Sequence, residues 1–417
     1  AAYDQNTGDY MESSNGDIWK GSYNISRSES LVDRIRDNTG MDVTFFYGDR
    51  RIMTSAVDSN GDRILNSPAG DRIVEKVLQN GEEYFSSAVS LDGVMNYGYF
   101  MPVYQNGSDD EIIGMVFVGT DKEKKDGWYY FTASVPAYDS IVLRRAKKLA
   151  DLPQAEEVVI WKKHESGPMS KHIWAPELHY LEGKWYIYFA GGEEEDIWKI
   201  RPYVLECQGQ DPLADAWVEK GKMQRADGDE FSFEAFSLDA TVFEDAGDYY
   251  YVWAEKVGVG KQISNLYIAK MESPCKLATV QVLLTTPDYD WERVGFWVNE
   301  GPAVIHHGDK LYLTYSASDT GVAYCVGMLT ATSGTDLLDP LNWRKERHPV
   351  LQSSYEKGIY GPGHNCFTKD EDGNDIMVYH ARTETEIEGN PLYNPNRHAH
   401  LMQVQWDENG KPVFAYD

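Results

Sequence analysis

The sequence predicts a mainly β protein, a five-bladed β-propeller preceded by a smaller α+β module. Three observations carry this. A turn followed by an aromatic-rich strand recurs five times: Asp126-Gly127-Trp128-Tyr129-Tyr130, Glu182-Gly183-Lys184-Trp185-Tyr186, Ala246-Gly247-Asp248-Tyr249-Tyr250, His307-Gly308-Asp309-Lys310-Leu311-Tyr312 and Asp372-Gly373-Asn374-Asp375-Ile376. At a spacing of roughly 55–65 residues, each unit fits one hairpin of a four-stranded blade, and the count of five favours a propeller over a sandwich. The polar, turn-forming stretch Lys122–Gly127 separates this pattern from a different one upstream. A chain of 417 residues is long enough for two or three separate cores. The expected division is residues 1–124 and residues 125–417.

In the first part, a helix is expected from Ser26 to Asn38. Ser26 is placed to cap it, Glu29 completes a capping box, and Leu31, Val32 and Ile35 form its apolar face. Two strands follow, Val43–Tyr47 and Arg51–Thr54, around a Gly48-Asp49 turn. A second helix is expected over Asp71–Gln79. The strands Tyr97–Tyr104 and Ile112–Val118 complete a sensor-like module, in which Tyr97 and Tyr99 are either pocket-lining or core residues. From Trp128 onward the chain reads as short strands and turns.

A net charge of −28 argues against nucleic acid and anionic membrane surfaces as partners. No run approaches the roughly 18 apolar residues of a transmembrane helix. The four cysteines, Cys207, Cys275, Cys325 and Cys366, lie far apart without metal or redox spacing and are expected as free, buried thiols. The chain begins Ala1-Ala2-Tyr3, which reads as a processed or engineered start. Localisation stays open between cytoplasmic and secreted, in a bacterial setting.

Two carboxylates stand out. Glu300 in Val298-Asn299-Glu300-Gly301-Pro302-Ala303-Val304 and Asp239 in Phe236-Ser237-Leu238-Asp239-Ala240-Thr241-Val242 each sit beside an apolar run, followed by a turn and an aromatic strand. A carboxylate at the inner end of a strand is costly unless it is hydrogen-bonded or functional. Two in repeated frames imply one polar site built by several blades.

Residues 10–121 resemble a single Cache domain, a PAS-like extracytoplasmic ligand-sensing module. The segments that carry this are Thr44-Phe45-Phe46-Tyr47-Gly48-Asp49-Arg50-Arg51-Ile52-Met53-Thr54-Ser55, Val77–Tyr84 and Ile113–Gly119. The flanking membrane helices usual for that family are not in this sequence. From about Asp126 to the C-terminus, the segments Lys171–Glu177, Phe236–Phe243, Asn299–Pro302, Gly361–Asn365, Tyr379–Arg382 and Asn396–His398 resemble glycoside hydrolase family 43. That resemblance implies a five-bladed propeller that cleaves terminal pentosyl residues of plant hemicellulose with inversion, as an α-L-arabinofuranosidase or β-xylosidase. It implies Glu300 as general acid and Asp239 as the group that tunes its pKa and orients it. It also implies His364 at the propeller axis, facing a calcium or sodium ion or a water cluster, with no cofactor required. Trp174 and Phe236 are candidate sugar platforms, and Arg382 a candidate partner for a sugar hydroxyl or one of the acids.

One element of that family is missing. Its general base is an Asp in an Ala-Asp-Pro-type strand some eight residues before the turn that is here Asp126-Gly127, where this chain has Val118. An inverting glycosidase needs a base about 6.5–9.5 Å from its acid. The segment Val116–Asp121 is one candidate replacement for the inner strand, with Asp121 as base; a second copy of the chain, in a swapped dimer, is another. With neither, the expectation is a sugar-binding propeller coupled to a ligand-sensing domain. The partners expected are arabino- or xylo-oligosaccharides.

Overall fold

The computed structural model describes residues 8–58, 61–91, 94–108, 110–121, 127–257 and 262–416. Lys122–Asp126 of the expected boundary lie outside the described residues. The chain divides into two compact units, residues 1–127 with 246–248, and residues 128–245 with 249–417.

The first unit is built on a five-stranded antiparallel sheet in the order Arg50–Thr54, Asp42–Tyr47, Ile112–Asp121, Val94–Tyr104, Tyr84–Leu91. Side chains alternate across it. Phe46, Phe100, Met115 and Phe117 pack on one face with Val77, while Phe45 and Ile52 pack on the other with Tyr10, Ile18 and Ile25. The first helix runs Glu29–Thr39 and stops at left-handed Gly40.

The predicted capping box does not form. Ser26 lies in a 3-10 turn, Ile25–Arg27, and its hydroxyl accepts the Ile18 N–H at 2.9 Å. Ser28 takes the N-cap position, but its Oγ donates to the Ile25 carbonyl instead. The second predicted helix is one α turn, Asp71–Ile73, continued as a π-helix over Val74–Gln79.

The second unit consists of five successive antiparallel packets. Their leading strands are Tyr129–Phe131 and Ser140–Ala146, then Lys171–Leu181 with Lys184–Gly192, Ser237–Asp245 with Asp248–Val257, Trp297–His307 with Lys310–Ala317, and Tyr360–Lys369 with Asp375–Arg382. The Glu182-Gly183 and Ala246-Gly247 turns have positive φ at both residues, the backbone a two-residue hairpin requires. The third and fourth packets share one sheet through a short parallel contact, Ile263 with Trp297 and Ser264 with Val298. None of these sheets closes on itself among the described residues.

Each packet packs its face on the next. Ile141 and Leu143 meet Ile187 and Phe189. Tyr186 and Tyr188 meet Tyr249, Tyr251 and Trp253. Tyr250 and Val252 meet Leu311, Leu313 and Tyr315, and Tyr312 meets Met377 and Tyr379. Period-two alternation lets one strand serve two interfaces: Tyr251 faces backward and Val252 forward. Burying a side chain of this size contributes about 1.5–3 kcal/mol. The cysteines are all free thiols, with Cys207 and Cys325 buried, Cys275 half-buried and Cys366 exposed. No helix among the described residues is long and apolar enough to cross a membrane.

Candidate active site

The site is built by one backbone device used repeatedly. In Lys171–Leu181, Trp174 pairs with Ala190 and Glu177 with Tyr188, so three steps on one strand match two on the other. The same one-residue bulge recurs between Glu300 and Ala303 against Ser316 and Thr314, and between Gly363 and Cys366 against His380 and Val378. At each bulge one residue is left-handed: Ala175 (φ 46), Gly301 (φ 56) and His364 (φ 44). Asp239 (φ 52) takes this conformation in the fourth such strand, Ser237–Asp245. Bulges re-aim side chains near active sites, and non-glycine residues with positive φ cost energy that the surrounding structure must repay. Of these four residues only Gly301 is a glycine, which relieves that strain. A Cβ there would also come within 3.1 Å of His364 Cγ.

These bulges bring Asp239, Glu300 and His364 together. Asp239 is buried, with Oδ2 3.6 Å from His364 Nδ1. Burial pushes its carboxyl up to about 7, Glu177 adds to the rise, and Arg397 and the Gly301 N–H oppose it. Glu300 is half-buried, and its Oε1 accepts the Tyr324 hydroxyl at 2.8 Å. Burial and the neighbouring Asp239 charge push Glu300 up to about 7, against the Tyr324 hydrogen bond, His364 and Arg397. The two acids titrate as a pair that holds about one proton near neutrality. His364 is pushed down by burial, which favours the neutral imidazole.

Sequence reasoning missed four members of this cluster: Tyr324, His380, Arg397 and Glu177. Tyr324 stacks on His380 with ring centroids 5.6 Å apart, and Arg397 donates Nη2–H to His380 Nε2 at 2.7 Å. Glu177 accepts from His179 at 2.8 Å. Trp174-Ala175-Pro176 and Glu300-Gly301-Pro302 share a frame, with proline after the left-handed residue in each, but that frame sets Glu177 opposite Ala303 and does not point to it.

The remaining candidates fall in different places. Lys256 Nζ lies 3.9 Å over the Phe236 ring, and the Glu300 charge acts on this lysine, which puts Phe236 beside the acids. Trp174 stands in an aromatic group, stacked on His172 at 4.5 Å with Tyr138 against its edge at 5.7 Å. Its indole Nε1 is enclosed without a partner. Arg382 is buried and donates to the Thr320 carbonyl, Asn394 Oδ1 and the Asn396 carbonyl. It anchors the segment that carries Arg397, and Arg397 is the guanidinium that acts on both acids.

Val116–Asp121 does not form the missing inner strand of the first packet. It belongs to Ile112–Asp121, in which Gly114–Gly119 pairs with Asp42–Tyr47 on one edge and with Val94–Tyr104 on the other, while Thr120 and Asp121 pair on one edge, with Tyr97 and Asn96. The Tyr129–Phe131 sheet has three strands. Among the described residues no three His, Cys, Asp or Glu side chains converge as metal ligands.

Comparison with known proteins agrees with this geometry. Residues 23–129 match single Cache domain 3. The chain is 49% identical over 291 residues to an extracellular exo-α-(1→5)-L-arabinofuranosidase of Streptomyces avermitilis, which covers 70% of this chain and 59% of that protein. It is 45% identical over 292 residues to α-L-arabinofuranosidase 43 of Humicola insolens, with the same coverage. The chain thus spans about three-fifths of the length of these two relatives. The crystal structure of an α-L-arabinofuranosidase from Lactobacillus brevis superposes with a TM-score of 0.66 at 48% identity, covering 70% of this chain and 91% of that one. Residues 120–412 match glycosyl hydrolases family 43, and the chain belongs to that family.

Proposed function

We propose that the second unit is a five-bladed propeller that removes terminal α-L-arabinofuranosyl residues from plant hemicellulose oligosaccharides with inversion. The observation that carries this is the Asp239–Glu300 pair, Asp239 buried and Glu300 half-buried, both pushed up to about 7. A general acid must keep its proton near working pH and still be able to give it up. Glu300 meets both needs because Asp239 holds negative charge beside it. Tyr324 donates to Oε1, which leaves Oε2 to carry the proton passed to the leaving oxygen. The face-to-face order of the five packets supports a propeller, with residues 125–417 as its domain. The names of the similar proteins support arabinose over xylose. Phe236 and Trp174 supply the apolar walls for the sugar.

One observation favours a second reading. The strand that ends at Asp121 belongs to the five-stranded sheet of the first unit and not to the Tyr129–Phe131 sheet, which speaks against its standing in for the family's base strand. Without a base, the unit binds arabinofuranosides and turns them over slowly. Hydrolysis of 4-nitrophenyl α-L-arabinofuranoside with and without azide tests both readings. Azide attacks without giving up a proton, so it bypasses a missing base. Turnover without azide, lowered in Glu300→Gln, supports the complete enzyme. Turnover that appears only with azide supports the base-deficient form. No turnover and no sugar binding in either condition contradicts both.

A further inference from the structure

The aromatic group around Trp174 continues outward to the surface. Trp174 is half-buried, whereas Trp198 and Tyr393 are 55% and 52% exposed. Single exposed rings are ordinary, but connected ones mark a surface that something covers. These rings are connected, and they are held in place. His172, only 2% exposed, stacks on Trp174 at 4.5 Å and lies 5.3 Å from the Trp198 ring. Its Nδ1–H donates to the Ile197 carbonyl at 2.9 Å, which fixes the loop that carries Trp198. The Tyr393 hydroxyl lies 3.5 Å from its Nε2. Burial favours the neutral imidazole, which can serve both contacts.

The backbone is built to the same end. His172 (φ 50), Ala175 (φ 46) and Tyr138 (φ 52) are left-handed without being glycine, a strained state that persists only where the surroundings impose it. The Tyr138 carbonyl accepts the Ile173 N–H at 3.1 Å, and its hydroxyl donates to the Leu392 carbonyl. Its ring meets the edge of Trp174 at 5.7 Å and the Tyr393 ring at 5.9 Å. Three separate stretches of chain are thereby pinned around Trp174. The Arg397 charge, which acts on both acids, also acts on Tyr138, so this group adjoins the acids.

Polar groups border the exposed rings. The Trp198 N–H donates to Asp196 Oδ1 at 3.4 Å, Lys199 pairs with Glu193 at 2.9 Å, and Asn394 follows Tyr393. The core of a protein–protein interface is depleted of charge, whereas a sugar offers an apolar C–H face with hydroxyls around it. We infer that Trp198 and Tyr393 form an outer platform for a carbohydrate chain, so that the substrate is an oligo- or polysaccharide whose further sugars lie on these rings while its terminal unit reaches the acids. The inference rests on the arabinofuranosidase reading and adds to it the length of the substrate.

Calorimetric titration of the whole chain with arabinose and with arabinotetraose tests it, together with kcat/KM on arabinotetraose and on 4-nitrophenyl α-L-arabinofuranoside. The parent should bind arabinotetraose at least tenfold more tightly than arabinose. Trp198→Ala should cost about three- to tenfold more in kcat/KM on arabinotetraose than on the aryl substrate, and Tyr393→Ala should act in the same direction. Where turnover is slow, the same comparison is read from the two affinities. Trp198→Phe, which keeps a ring, should recover most of the difference. A parent that binds both sugars equally overturns the inference and leaves the arabinofuranosidase reading standing. So do losses in Trp198→Ala and Tyr393→Ala that are equal on both substrates or absent. A parent that binds neither sugar and cleaves neither substrate contradicts that reading, and the inference with it.

Discussion

The two units handle buried charge in opposite ways. In the second, Glu300 and His364 sit on bulged strands and Asp239 is itself left-handed, and Arg397, Tyr324 and His364 divide the load of the two acids. In the first, the pairing of Asp42–Tyr47 with Arg50–Thr54 slips by one residue beside Arg51, between Phe45–Met53 and Phe46–Arg51, and the Arg51 Nε is enclosed without a hydrogen-bond partner. A cluster of opposed groups can hold a proton at a useful pKa without a ligand.

Several changes would break or sharpen this contrast. The largest effect belongs to Glu300→Gln, which removes the proton donor. Turnover of arabino-oligosaccharides should fall about 10²–10⁴-fold. The loss should be smaller on 4-nitrophenyl arabinofuranoside, whose leaving group needs less protonation, and comparing the two kcat/KM values checks this. Equal losses on both substrates would remove Glu300 from the acid role. Next is Tyr324→Phe. The lost hydrogen bond favours the ionised carboxylate, so Glu300 should rise further and the alkaline limb of the pH–rate profile should move up. A limb that stays or moves down would contradict the assignment.

Stability offers a smaller but cleaner test. Both carboxyls rise from ordinary values of 3.8 and 4.5 to about 7 on folding. The native pair therefore holds protons that the unfolded chain releases between about pH 4 and 7. Its contribution is fully present below about pH 4 and is lost as pH rises through 7. Asp239→Asn should thus gain about 1–3 kcal/mol relative to the parent at pH 8 compared with pH 4, read from denaturation curves at the two pH values. Smaller still, Gly301→Ala forces a side chain into the left-handed region against His364, and should cost about 1–2 kcal/mol at any pH. Loss of less than half of that would mean the bulge can relax.

Much of this was legible in the sequence. Alternating aromatic strands and Gly-containing turns gave the packets, because a period of two and a hairpin turn are local properties. Asp239 and Glu300 were visible because carboxylates in apolar strands are unusual. The bulges were not, since Asp239, Ala175 and His364 adopt left-handed backbone without being glycine, and only the fold imposes that. Tyr324 and Arg397 were hidden for a related reason: they come from connections whose reach depends on tertiary structure. Arg382 looked like a site residue and is instead the anchor of the segment carrying Arg397. Ser26 was read as a cap on local pattern alone, and a longer-range bond to Ile18 took its hydroxyl.

The central claim is that Asp239 keeps the Glu300 proton in place near neutrality. Carboxyl-carbon NMR of protein labelled at glutamate, with Glu300→Gln to assign the signal, measures this without requiring turnover. The prediction is that Glu300 titrates near pH 7 in the parent and clearly lower in Asp239→Asn. A Glu300 that titrates near its ordinary value, or at the same pH in both proteins, would contradict the account.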